Sequence, residues 1–187
     1  NVNLDVAGVI VNDDINTATE EVAKDIRDIA KNSGSCDDSV LIIGKPGSGK
    51  TTLMRDLVRR RSAAGMHIVV IDERQELFPR CKSGFSFQTD SRTDVLSGCQ
   101  KKKGIEMALR AMGPDMIAVD EISSKADCED LLQAGWCGVA LMATAHAGTL
   151  DELFKRPLYQ PILQAKLFSR VFVLGPDKSW TEERLPA

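Results

Sequence analysis

Eight residues, Gly44-Lys45-Pro46-Gly47-Ser48-Gly49-Lys50-Thr51, match GxxxxGK[ST] in full and leave little freedom in what surrounds them. They follow an apolar run, VLIIG at 40–44, and open a helical stretch predicted over Thr51–Ala64. Glycines let such a turn point its backbone N–H groups inward, and the helix that follows adds the positive end of its dipole, so the segment forms a seat for phosphate oxygens. The expected nucleotide contacts are Gly44, Pro46, Gly47, Ser48, Gly49, Lys50, Thr51 and Thr52. Lys50 is placed to reach the β- and γ-phosphates and Thr51 to ligate Mg²⁺, which makes ATP and Mg²⁺ the expected ligands.

Beyond this turn, apolar runs of strand length alternate with helical patterns. HIVVID (67–72), MIAVDEI (116–122), VALMATAH (139–146) and RVFVL (170–174) read as strands. Helices are predicted over Lys101–Met112, Lys125–Gln133 and roughly 149–155 and 158–166, and TEERL (181–185) pairs with RVFVL as a C-terminal β-hairpin. Continuous apolar strands separated by helices mark a mostly parallel sheet covered on both faces, an α/β fold. The polar stretch from Glu73 to Gln100 carries no clear period and reads as a long connection, functional or partly disordered. Residues 1–38 read as an N-terminal tail with an amphipathic helix over Thr17–Lys31, the remnant or linker of a further domain, and residues 39–187 as the nucleotide-binding domain.

Composition narrows the function. With 24 Lys+Arg against 27 Asp+Glu the net charge is −3, which disfavours a nucleic-acid-dependent ATPase, and no nucleic-acid partner is expected. Cys36, Cys81, Cys99, Cys128 and Cys137 form no CxxC pair, so reduced thiols are expected rather than a zinc site or a disulfide framework. No apolar run has the length of a transmembrane helix.

Acidic residues at strand ends supply the remaining candidates. Asp120, at the end of MIAVD, is the expected second metal ligand beside Thr51, and Glu121 can orient the attacking water. Glu73, after HIVVID, competes for that role, because ligands of parallel sheets gather outside the carboxyl ends of the strands. His146 ends a further strand at the same edge and is a candidate γ-phosphate sensor, whereas His67 begins its strand and reads as structural. Arg74, Arg92 and Arg110 are candidates for the cation that stabilises transition-state charge, with Arg92 expected to reach a neighbouring subunit's nucleotide. Lys101-Lys102-Lys103 reads as the solvated start of a helix.

The NKxD tetrapeptide of guanine-specific proteins is absent. Leu96-Ser97-Gly98-Cys99-Gln100 is similar to the LSGGQ signature of ABC-type ATPases, an alternative reading. It breaks at Cys99, and the short separation from the P-loop leaves little room for the helical subdomain of that family. The ordered words GKPGSGKTT, VIDERQE, SRTDVLSGC, LRAMGPDMIAVDEI, ATAHAGTLDEL and KRPLYQPIL, from about Ser39 to Leu185, instead resemble the stage III sporulation AA family, relatives of the type II and type IV secretion ATPases. The resemblance implies a RecA-like ATPase that works as a homo-oligomeric ring, expected to be hexameric. It also implies a place in the cytoplasm, peripheral to the membrane on the mother-cell side, docked to a membrane-embedded export or channel complex. Lys50 and Thr51 match its Walker A residues, Asp120 and Glu121 its Walker B pair, Glu73 its acidic box and His146 its histidine box. A third reading is an interaction module that binds nucleotide without significant turnover.

Overall fold

The apolar runs become strands because each can bury both of its faces. A computed structural model describes residues 39–185 except 82–83, 86, 88–90 and 178; the helix expected over 17–31 lies outside the described residues. The main-sheet strands are β1 (Val40–Gly44), β2 (Ile68–Asp72), β5 (Thr93–Ser97), β6 (Met116–Glu121), β7 (Ala140–Ala145), β8 (Arg170–Leu174) and β9 (Trp180–Arg184), and β3 (Arg80–Cys81) and β4 (Gly84–Phe85) form a separate small hairpin. The seven-stranded sheet runs β5-β2-β6-β7-β1-β8-β9. All its neighbours pair in parallel except β8 and β9, the expected C-terminal hairpin.

Alternation divides the core into two layers. Leu41, Ile43, Val69, Ile71, Ile117 and Val119 face one side, against α2 (Lys101–Met107) and α3 (Lys125–Trp136). Val40, Ile42, Ile68, Val70, Met116 and Ala118 face the other, where α1 (Lys50–Ala63) buries Leu53, Met54, Leu57 and Val58. Two short helices, α4 (Leu150–Lys155) and α5 (Gln160–Gln164), fill the space before β8 with Leu153 and Ile162. No helix among the described residues is long and apolar enough to cross a membrane. Cys99, Cys128 and Cys137 are free thiols, and burial pushes the Cys128 thiol up to about 11.

Two elements of the fold differ from the sequence reading. The polar connection 73–100 contains β3, β4 and the parallel edge strand β5, whose residues are only half-buried or exposed. A strand covered on one edge alone needs no continuous apolar run, so TDVLS gave little pattern to read. The helix expected over Lys101–Met112 is α-helical only to Met107. It continues as a π-helical turn, Ala108–Met112, closed by the Gly113 N–H reaching back to the Ala108 carbonyl at 3.2 Å.

Gly104 sets how closely α2 lies on β2. A Cβ at this position would stand 2.8 Å from Cγ2 and 3.0 Å from Cγ1 of Ile71, a fully buried, β-branched side chain that cannot swing aside. Helix propensity alone favours alanine over glycine by up to about 1 kcal/mol. Overpacking of this kind costs about 1–3 kcal/mol, so Gly104→Ala is expected to lower the thermal midpoint of unfolding. An unchanged or raised midpoint would show that α2 lifts from the sheet at little cost.

Candidate functional site

β1 ends in the phosphate-binding turn. Gly47 and Gly49 take positive φ values of 77° and 101°, and Ser48 N–H closes the turn on the Lys45 carbonyl at 3.2 Å. A side chain at Gly44 would collide with Ser48 Oγ and crowd the Leu174 carbonyl, so the start of the turn is tied to glycine by close approach. Gly49 caps α1 with no side-chain hydrogen bond, and no acidic residue stands in the first turn, an arrangement that leaves the positive helix end to an anion.

Lys50 is buried at 8% exposure. Its ammonium donates to the carbonyls of Gly44 (2.9 Å) and Lys45 (3.2 Å) and stands 3.2 Å from His146 Nδ1. On the far side of the imidazole, Nε2 lies 2.8 Å from Glu121 Oε2. With the ammonium as donor, Nδ1 accepts and Nε2–H donates to the carboxylate, giving a continuous chain from Lys50 through His146 to Glu121. Burial lowers the Lys50 pKa, partly offset by the Glu121 charge. The backbone N–H of His146 donates to the buried Tyr159 hydroxyl at 3.3 Å, which ties its loop to the segment before α5.

Adjacent residues of a regular strand point to opposite faces, yet Asp120 and Glu121 both line one cleft. The register explains this. Ala118 pairs with Met142 but Glu121 with Thr144, so β6 carries one residue more than β7 across this interval. The bulge re-aims the strand end, and Ile122 returns to the core layer of Ile117 and Val119. The cleft measures about 240 Å³ and brings together Lys50, Thr51, Asp120, Glu121 and His146, with Pro46 and Gly47 on its phosphate side. Glu76 and Thr144 line it too, neither singled out by the sequence.

Asp72 shapes the acidic loop. Its buried carboxylate accepts from the backbone N–H groups of Glu76 (2.9 Å), Leu77 (3.1 Å) and Phe78 (2.8 Å), folding residues 73–78 back over the strand end. Arg55 seals the loop from α1 by donating to the Leu77 carbonyl at 2.7 Å. Glu73 projects from this loop toward Lys101 rather than into the cleft.

Lys101 is the largest departure from expectation. It is 5% exposed, and its ammonium lies 2.8 Å from Asp120 Oδ1, 3.3 Å from Glu73 and 3.8 Å from Asp127. Residues 101, 104, 105 and 108 are the buried ones on this helix, a spacing of three, four and seven that places Lys101 on the core-facing stripe. That spacing was the available signal; the neighbouring Lys102 and Lys103, both exposed, obscured it. Burial acts to lower the Lys101 pKa, but Asp120, Asp127 and Glu73 outweigh it and raise the value. Burial also raises the Asp120 pKa, against the pull of Lys101.

Of the three candidate arginines, Arg74 sits nearest, half-exposed and 3.9 Å from Glu121. Arg92 is elsewhere. It precedes β5, at the edge of the sheet opposite the cleft, and donates to the Gly65 carbonyl at 2.8 Å. Arg110 is exposed on the π-helical turn, Thr52 is exposed beside the cleft, and His67 pairs with Asp94 at the amino end of β2.

A parallel sheet with a phosphate-binding turn after β1 and an acidic strand end at β6 is a RecA-like P-loop NTPase fold of the secretion-ATPase type. The VirB11 ATPase of the Brucella suis type IV secretion system superposes with a TM-score of 0.61 at 15% identity, over 94% of this chain and 55% of that one. The Legionella pneumophila ATPase DotB gives 0.52 at 17% identity, over 87% and 49%. The chain belongs to the family described as sporulation stage III, protein AA, whose model matches residues 7–183, beginning well before Ser39. It is 35% identical over 145 residues to the stage III sporulation protein AA of Bacillus subtilis (strain 168), covering 75% of this chain and 47% of that protein. It thus spans about half the length of that relative. The fold sets the ABC-type reading aside: Leu96–Gln100 is the end of edge strand β5 and the turn into α2.

The acidic loop yields a test. Asp72→Asn replaces an acceptor oxygen with a donor facing backbone N–H groups, and hydrogen bonds to a charged group contribute about 1.5–3 kcal/mol each. The variant is expected to unfold at lower urea and to lose hydrogen-exchange protection at Glu76, Leu77 and Phe78. Unaltered protection there would mean the loop is held by other contacts.

Proposed function

We propose that this chain binds and hydrolyses Mg–ATP as the motor domain of a ring-forming ATPase that energises a sporulation export or channel complex. The observation that carries the reading is the convergence of Lys50, Thr51, Asp120, Glu121 and His146 on one cleft beside the phosphate-binding turn. VirB11 and DotB, which share the fold, are ATPases by name.

The residues fit Mg²⁺. Asp120 Oδ1 is buried and faces the Lys101 ammonium at 2.8 Å. With the Thr51 hydroxyl it offers hard oxygen donors on one side of the cleft. Among the described residues no cluster of three His, Cys, Asp or Glu side chains could hold a metal. Mg²⁺ is commonly held by one or two carboxylates together with substrate phosphates. When bound, the ion offsets charge that develops on the transferred phosphoryl group.

Lys50 reaches the phosphates by leaving the carbonyls of Gly44 and Lys45 and the His146 imidazole. That exchange alters the partner of His146 Nδ1 while Nε2 still faces Glu121, so His146 links phosphate occupancy to the carboxylate. Glu121, which lines the cleft, orients the water; Glu73, drawn toward Lys101, takes a supporting place. Phosphoryl transfer is mostly positioning and charge stabilisation, so a lone subunit without a partner's cation turns over slowly.

Lys50→Ala is expected to weaken ATP binding at least about 100-fold, close to 3 kcal/mol by calorimetry. Unaltered affinity would refute the assignment. Glu121→Gln is expected to keep ATP affinity within about threefold and lower single-turnover hydrolysis by about 100-fold or more, the range of a lost general base. If Glu73→Gln shows the larger loss instead, the water-orienting role belongs to Glu73. Light scattering of the full-length protein with an ATP analogue tests the ring: a mass that stays monomeric would remove it.

A further inference from the structure

Lys101 is a buried cation at the site to which the P-loop mechanism assigns no task. It reaches three carboxylates carried by three separate elements: Glu73 on the loop after β2, Asp120 at the bulged end of β6, and Asp127 in the first turn of α3. These are not equivalent partners. Asp127 is already satisfied, since it closes the capping box of α3 and accepts from Ser123 N (2.8 Å), Ser123 Oγ (3.1 Å) and Ser124 N (3.1 Å). Asp120 accepts the Arg74 N–H at 3.4 Å on Oδ2, and its Oδ1 faces the Lys101 ammonium.

The two lysines of the site therefore divide its charges. Lys50 lies on the phosphate side against carbonyls and His146, while Lys101 lies on the carboxylate side. Three carboxylates around one ammonium leave the cluster negative, and in a buried setting such charges attract a further cation strongly. A fixed ammonium 2.8 Å from Asp120 Oδ1 also opposes any second cation at that oxygen.

We propose that Lys101 is a positioning residue that acts as the resident counter-cation of Asp120 and Glu73. It holds the two carboxylates in register and makes divalent metal weak at Asp120 until phosphate oxygens supply the remaining ligands. The inference rests on the reading of Asp120 as a metal ligand. It adds a reason for metal and nucleotide to enter together: the site carries its own cation when metal is absent. The close approach of α2 to β2 at Gly104, one turn from Lys101, brings the ammonium to this depth.

The test uses Mn²⁺ alone, without nucleotide, on the whole protein. Lys101→Met removes the charge at similar volume, and nucleotide-free Mn²⁺ binding, followed by electron paramagnetic resonance, is expected to tighten about tenfold or more. Lys101→Arg is expected to return it close to the wild-type value. The thermal midpoint of Lys101→Met is expected to fall in metal-free buffer and to recover on adding Mn²⁺ by more than wild type does. Unchanged or weaker Mn²⁺ binding in folded Lys101→Met would overturn the proposal and leave Lys101 a structural ion pair. Should that variant fail to fold, Glu73→Gln decides the matter. It removes one anion and leaves Lys101 more fully committed to Asp120, so nucleotide-free Mn²⁺ binding is expected to weaken at least threefold, and an unchanged value would overturn the idea. Failure of wild-type protein to bind Mg–ATP would refute the nucleotide reading separately, because none of these measurements contains nucleotide.

Discussion

Burial on both faces governs where polar chemistry can stand in this molecule. Every residue of β1 and β7, and all of β2 up to Asp72, lies inside, so a charged side chain partway along any of these strands would have no water and no partner. Polar groups are confined to the points where the strands run out, and parallel pairing puts those points along one edge. The phosphate turn after β1, the acids closing β2 and β6, and the Thr144–His146 end of β7 meet for that reason. The site is a by-product of packing before it is a device for chemistry.

Along that edge the charged groups are organised in two linked sets. One runs from Lys50 through His146 to Glu121 and joins the phosphate seat to a carboxylate that faces the cleft. The other gathers Asp120, Glu73 and Asp127 around Lys101. They touch where Asp120 and Glu121 adjoin and where Arg74 offers its N–H to the first and its guanidinium to the second. A change at either set is thus felt within one residue of the other. Asp72, wholly buried, takes part in neither and holds the loop from which Glu73 projects.

Much of this was legible in the residue order. The phosphate turn, β1 and β8 were read to the residue, because a full motif or a continuous apolar run leaves few alternatives. His146 follows from the parallel-sheet rule and Glu121 from its place after Asp120, whereas Glu73, which the same rule selects, turns toward Lys101 instead of lining the cleft. What escaped had a physical cause. β5 is an edge strand with half its surface uncovered, so its apolar signal is diluted. Lys101 was read with its exposed neighbours rather than with Gly104 and Ile105, whose helical spacing it shares. Arg92, singled out by its place in the polar connection, stands at the amino edge of the sheet, away from the cleft of its own chain; its expected role concerns a neighbouring subunit's nucleotide. Thr144 carries no motif of its own, and the bulge in β6 sets it beside Glu121.

That bulge makes chain length, and not only chain composition, part of what the site encodes. Were Val119 lost, the strand would regain strict alternation, and Asp120 would take the place of Val119 in the hydrocarbon layer while Glu121 stayed on the other face. Ile122 would keep its place in the layer of Ile117, because removing the extra residue leaves the register with β7 beyond it unchanged. A single-codon deletion here would leave the composition almost untouched and yet dismantle the pairing of acids. Spacing in this short interval is accordingly held more tightly than the identity of most side chains around it.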